Sequence, residues 1–180
     1  MCVPIAFFVS LLLVANLPGI GWLVFAVWLQ FPVYLIHQFE EHAYPGGFKN
    51  YINTRVFKSS VVDTPLNDAS VFWINIPIIW GLFPLGAMLS QLSNIQYGIV
   101  LPIFGMFNAT LHVIMALIKR EYNPGLVVSC ILNFPTGIWT LWLFNQEHLL
   151  DSTWLAIAIS ISFVMHLILV FYAKHRTNLK

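Results

Sequence analysis

Residues 20–42 read IGWLVFAVWLQFPVYLIHQFEEH, an apolar run that ends in His37, Glu40, Glu41 and His42. About 20 apolar residues suffice for a helix to cross the hydrocarbon layer, so the run predicts a membrane-spanning helix with an ionisable end. On that helix His37 precedes Glu40 by three positions and Glu41 by four, and the three side chains share a face that can converge on one ion or one substrate atom. Ionisable groups at the edge of a bilayer cost on the order of 2 to 4 kcal/mol each unless paired, hydrated or metal-bound. The chemistry of this chain is therefore sought here.

The rest of the chain has the same apolar character. Of its 180 residues 59% are hydrophobic and only 8% charged, with a mean hydropathy of +0.80, whereas soluble domains carry about 25% charged residues. An integral, multi-pass membrane protein follows, with residues 1–180 forming one domain. Its fold class is all-α, a polytopic bundle of about five transmembrane helices plus a short N-terminal hydrophobic helix over residues 4–16. After 20–42, the spans are expected at about Ser70 to Ser93, Tyr97 to Ile118, Gly125 to Phe144 and Thr153 to Ala173. The N-terminal helix should stop at Asn16-Leu-Pro-Gly, and with no basic residues before it, it does not read as a cleavable signal peptide. Cys2 and Cys130 form neither a disulfide framework nor a zinc knuckle. A formal charge of +1 points to no charged partner, so membrane lipids are expected and nucleic acid is not.

Pro32 interrupts the hydrogen-bond ladder one turn before His37 and predicts a kink there. The connection over 43–69 is the only long polar one and is read as either a lid or a plain connector, with Asp68 or Ser70 capping the next span. Short connections elsewhere force antiparallel neighbours. With five crossings, the connection after the first span, the one between the third and fourth, and the C-terminal tail share a side. They hold Lys49, Arg55, Lys58, Lys119, Arg120, Lys174, Arg176 and Lys180, all 8 Lys and Arg of the chain. The positive-inside rule makes these basic loops and the C-terminus cytoplasmic.

Counted from the ends on that side at about 1.5 Å per residue, His37, His112 and His166 lie at a common depth of roughly 8 to 11 Å. Asn75, Asn108 and Asn133 fall in the same half. Lipid offers such groups no partners, so they should face the bundle interior. Asn108 and His112, four apart, share a face. The turn Glu121-Tyr122-Asn123-Pro124-Gly125 brings a carboxylate and a phenol to the same rim.

His37-Gln-Phe-Glu40-Glu41, Asn108-Ala-Thr-Leu-His112 and Tyr122-Asn-Pro124-Gly125 resemble, in order and approximate spacing, the HXXEE, NXXXH and YXPG motifs of the HXXEE domain family. Its members are small multi-span membrane proteins of unknown function. The resemblance covers residues 20–125 and implies that His37, Glu40, Glu41, Asn108, His112, Tyr122, Pro124 and Gly125 are its marked positions. It supplies no reaction.

Three functional readings follow. In the first, His37, Glu40, Glu41 and His112 hold a divalent metal, zinc or iron, in a membrane-embedded hydrolase or oxidoreductase acting at the cytoplasmic side on a lipophilic small molecule. In the second, the same residues do metal-free acid and base chemistry, isomerising or cyclising an isoprenoid or sterol-like substrate. Aromatic residues such as Trp73, Trp80, Phe104, Phe107, Phe134 and Trp139 would then stabilise a cationic intermediate. In both, Asn108 and Tyr122 orient the substrate. The third reading is a non-catalytic ligand-binding or structural membrane protein in which Glu40 and Glu41 pair with Lys119 or Arg120.

Overall fold

A computed structural model describes residues 2–178, so Lys180 lies outside the described residues. Every regular element among them is helical. We number these α1 (Cys2–His42), α2 (Phe48–Tyr51), α3 (Asp68–Leu92), α4 (Ile95–Lys119), α5 (Leu126–Gln146) and α6 (Ser152–Asn178). All but α2 are long and apolar enough to cross a membrane. Large apolar side chains stand out from the bundle, among them Phe7, Trp73, Leu117, Ile138, Phe163 and Phe171. Water would not tolerate so much exposed apolar surface, and a hydrocarbon layer does.

The N-terminal helix runs past its expected stop. Pro18 lies inside α1, and the backbone breaks instead at Gly21 (φ 74, ψ 166). A proline removes one hydrogen bond from a helix, but only glycine adopts those dihedrals without strain, so Gly21 makes the corner. Pro32 leaves the helical dihedrals intact. The direction of the ionisable cluster thus comes from the helix face, with no kink needed. The cap of α3 is Asn67: its side chain accepts from the Ser70 N–H and the Ser70 hydroxyl accepts from the Asn67 N–H, a capping box that leaves Asp68 outside the cap.

Both α3 and α5 contain a stretch of wide, i→i+5 helix, Ile76–Leu82 and Ser129–Asn133. Each ends two residues before a proline. The N–H groups of Phe83 and Phe134 reach back five residues, to the carbonyls of Ile78 and Ser129. The wide turns shift the register where Pro84 and Pro135 have no N–H to give, as expected where lipid cannot replace a lost donor.

The first and third spans, α1 and α4, form the middle of the bundle. Helix α1 packs against α3, α4 and α5, while α6 packs chiefly on α4. The core between them gathers Phe31, Tyr34, Leu35, Phe83, Ile99 and Phe104. Gln30 Nε2 bonds Thr140 Oγ1 at 2.9 Å and pins α1 to α5 at mid-depth. One end of the bundle collects the connection after α1, the turn after α4 and the end of α6. Arg55 Nε lies 3.9 Å from Glu121 Oε1, and Val56 and Ala173 line one cavity.

Candidate functional site

That end carries the ionisable cluster, and the face geometry of α1 divides it in two. Glu41, one turn beyond His37, points toward α4. Its Oε1 lies 3.4 Å from His37 Nε2 and 3.2 Å from His112 Nε2. All three side chains are buried, and their ligating atoms lie within 4.8 Å of one another. Glu40 points toward α5. Its Oε1 accepts from the Tyr122 hydroxyl at 2.7 Å and the Val127 N–H at 3.0 Å, and its Oε2 from the Val128 N–H at 2.7 Å. Glu40 thus caps the N-terminus of α5, where free N–H groups and the helix dipole favour an anion. The expectation that Glu40 joins the ligand group is corrected here: both of its oxygens are taken up by α5 and Tyr122. Burial and the Glu40 carboxylate push the Tyr122 phenol above its ordinary range, so it stays a donor to Glu40.

Asn123 fixes the proton position on His112. Its Nδ2 donates to the His112 carbonyl oxygen at 2.9 Å, so its Oδ1 is the atom 2.6 Å from His112 Nδ1. A carbonyl oxygen only accepts, hence Nδ1 carries the hydrogen and Nε2 is the nitrogen turned toward Glu41. Nε2 and the Glu41 oxygen stand where either a proton or a cation can lie between them. Asn123 is fully buried, and a partner of this kind is what orients ligating histidines in metal sites. His37 is less constrained: Asn108 Nδ2 lies 2.9 Å from its Nε2, and its Nδ1 is buried without a hydrogen-bond partner.

His42 is oriented from outside the group. Trp80 Nε1, which can only donate, reaches Gln38 Oε1 at 3.1 Å; Gln38 Nε2 then donates to Asn75 Oδ1 at 2.8 Å, and Asn75 Nδ2 faces His42 Nε2 at 3.2 Å. The relay leaves His42 Nε2 an acceptor, 3.5 Å from Glu41 Oε2. His166 stays apart from the group, its Nδ1 donating to the Ser162 carbonyl at 2.7 Å and its ring packed at a tilt against Phe104 and Phe107. Among the described residues neither Glu40 nor Glu41 pairs with a lysine or arginine, so the expected ion pairs with Lys119 or Arg120 are absent.

The group opens on a cavity of about 350 Å³ between α1, α3, α4 and α6. Glu41, His42, Asn75, Asn108, His112 and His166 are its polar lining, and aliphatic and aromatic side chains make the rest. The 43–67 connection supplies a wall through Phe48, Ile52, Val56, Phe57 and Leu66, so it covers the cavity as well as joining two spans. Of the aromatic residues expected to serve a cationic intermediate, Phe104 lines the cavity. Trp73 is exposed on the outer surface, and Trp139 packs on Trp22 and Phe25.

Sequence reasoning thus names His37, Glu41, His112 and Asn108, which the structure gathers, and Glu40 with Tyr122, which it pairs one step away. It misses Asn123, read only as part of a turn. The available signal was its place inside the Tyr122-to-Gly125 motif on the rim of the cluster.

Compared with known proteins, residues 28–140 match the model of a family described as "Protein of unknown function with HXXEE motif". No curated protein and no solved structure matches the chain.

Proposed function

The chain belongs to the HXXEE family of proteins of unknown function, and from that premise we propose that it is a membrane-embedded, metal-dependent enzyme acting on a lipophilic small molecule at the cytoplasmic side. One observation carries the reading. His37 Nε2 and His112 Nε2 converge on a single Glu41 oxygen at 3.4 and 3.2 Å, beside an apolar cavity. Ligand atoms around a tetrahedral ion with bonds of about 2.1 Å stand about 3.4 Å apart. Two imidazoles and one carboxylate with a position left open suit catalytic zinc or non-haem iron.

In this reading His37, Glu41 and His112 hold the ion, and Asn123 keeps the His112 ring turned toward it. A bound divalent ion would supply Lewis acidity to an oxygen-bearing group of the substrate. The lone pair of His37 Nε2 would then go to the ion, and Asn108 Nδ2, which lies 2.9 Å from that nitrogen, would be released to hydrogen-bond the substrate group. The apolar lining removes competing water and strengthens every polar contact inside. Glu40 and Tyr122 act on the framework. Placement of this end in the cytoplasm rests on the eight basic residues of its segments.

A second reading has support from the same distance. At 3.2 Å, His112 Nε2 and Glu41 Oε1 are also within hydrogen-bond reach, so a proton can occupy the place of the ion. The pair would then serve as acid and base for isomerisation or cyclisation. Elemental analysis of purified protein incubated with zinc or ferrous iron separates the two. The metal reading expects one ion per chain, retained in Glu40→Gln and lost in Glu41→Gln and His112→Ala. A wild-type chain that takes up no ion overturns it in favour of the acid–base pair.

A further inference from the structure

We propose that the cavity binds a neutral lipophile with one polar end, and that this molecule enters sideways from the bilayer between α3 and α6. The inference takes the polar end to meet the His/Glu group of the reading above, but the binding it describes does not require that group to hold a metal. Size and charge set the class. A cavity of about 350 Å³ is at the lower end of the range that encloses small organic ligands. Among the described residues no lysine or arginine lines it, and Glu41 does. A carboxylate or phosphate head would lose its hydration beside another anion with no cation to replace the water, and an ammonium head would meet a Glu41 whose oxygens already face His37, His112 and His42. Asn108 has an amide hydrogen to give an uncharged hydroxyl or carbonyl, and Asn75 Oδ1 and His166 can accept from a hydroxyl. With Nδ1 of His166 bound to the backbone, its other ring nitrogen remains as an acceptor.

The route follows from which walls are closed. The connection after α1 covers the aqueous end with Phe48, Val56 and Phe57. Both α3 and α6 contribute lining residues, Val71 and Ile74 on one side and Leu169 and Val170 on the other, yet they share no extended packing contact. Val170 and Ile114 line the cavity while remaining 51% and 44% exposed. Side chains that belong to the cavity and to the outer surface at once mark a gap in the wall, and it faces lipid.

The test uses full-length protein in lipid nanodiscs at pH 8 with three probes of one chain length, a fatty alcohol, a fatty acid and a fatty amine. Each carries a mid-chain diazirine. After photolysis, peptide mass spectrometry reads labelling on Leu111, Met115 and Leu169. The alcohol is expected to label these positions at least about tenfold more than either charged probe. Ile74→Trp and Val170→Trp, which fill the gap, should cut that labelling about fivefold or more, while Ile138→Trp on the outer face of α5, away from the cavity, leaves it unchanged. Equal labelling by the acid or the amine overturns the neutral class. Labelling that survives both gap variants but falls in Phe48→Trp overturns lateral entry. Metal content of the same samples is measured separately, so a chain without metal that still labels defeats only the earlier reading, and a chain with metal that does not label defeats only this one.

Discussion

Gly125 backs directly onto His112: a Cβ at this glycine would lie 2.5 Å from His112 Cε1, and 2.9 Å from His37 Cε1. Both imidazoles occupy the space that any other residue would fill. The backbone there has φ +101, which side chains rarely adopt. Gly125→Ala is therefore expected to lower stability by about 1 to 3 kcal/mol through strain and to push the two rings apart. The measurement is metal content beside the melting temperature. Ion binding should fall by about tenfold or more in protein that still melts cooperatively. A Gly125→Ala chain that binds metal as wild type would show that the rings are not held by this contact.

Asn123 predicts a different balance. Asn123→Ala strands the Nδ1 hydrogen of His112, at a cost of about 1 to 3 kcal/mol for a buried polar group. It also frees the ring to exchange tautomers. Metal affinity should drop about 10- to 100-fold, the usual effect of removing the group that orients a ligating histidine. Titration with zinc, followed by competition with a chelator, reads this directly. Unchanged affinity in a destabilised variant would reduce Asn123 to a packing role.

The adjacent glutamates should separate cleanly. Glu40 accepts three hydrogen bonds at the start of α5, and Glu40→Gln, with one acceptor oxygen left, should lose about 1 to 2 kcal/mol of stability while keeping its metal. Tyr122→Phe removes one of those bonds from a half-exposed phenol and should lose about 1 kcal/mol. The folded-state pKa of Tyr122 is raised. Its contribution is therefore fully present below the ordinary phenol range and is lost as pH rises through the raised value. Glu41→Gln is the converse, losing the ion with less effect on the fold. Denaturation of each variant with and without added zinc decides, since only a chain that binds zinc is stabilised by it. Zinc stabilisation of Glu41→Gln but not of Glu40→Gln would reverse the assignment.

Periodicity carried most of this fold and the centre of its site, and it failed where the chain leaves regular helix. His37, Glu41 and His112 were legible because helical spacing fixes faces and equal distance from the ends fixes depth. The split between Glu40 and Glu41 was not. They lie on opposite sides of His37, by about 60° and about 40° around the helix, and a sequence does not say which neighbour stands on which side. Asn123 sits in a turn, which has no period to betray a side chain's direction. The break at Gly21 was displaced from the expected stop for a related reason. Pro18 announces itself as a breaker, but lipid-embedded helices tolerate proline, and the backbone turns where a positive φ is free.

Sidedness can be tested apart from chemistry. In a Cys2→Ser, Cys130→Ser background, Ser59→Cys lies in the connection beside the cavity and Glu147→Cys in the turn between α5 and α6, at opposite ends of the bundle if all five long helices cross. The distribution of 8 basic residues, all on the Ser59 side, predicts that a membrane-impermeant maleimide labels Glu147→Cys in intact cells and Ser59→Cys only after the membrane is opened. The reverse pattern would keep the fold and the site but turn its rim toward the other compartment. Labelling of both in intact cells would be more damaging, because two ends on one face mean an even number of crossings between them. The common depth of His37 and His112 rests on two of those three crossings, α3 and α4, so that result would require α5 to be the helix that does not cross, or else that depth argument fails.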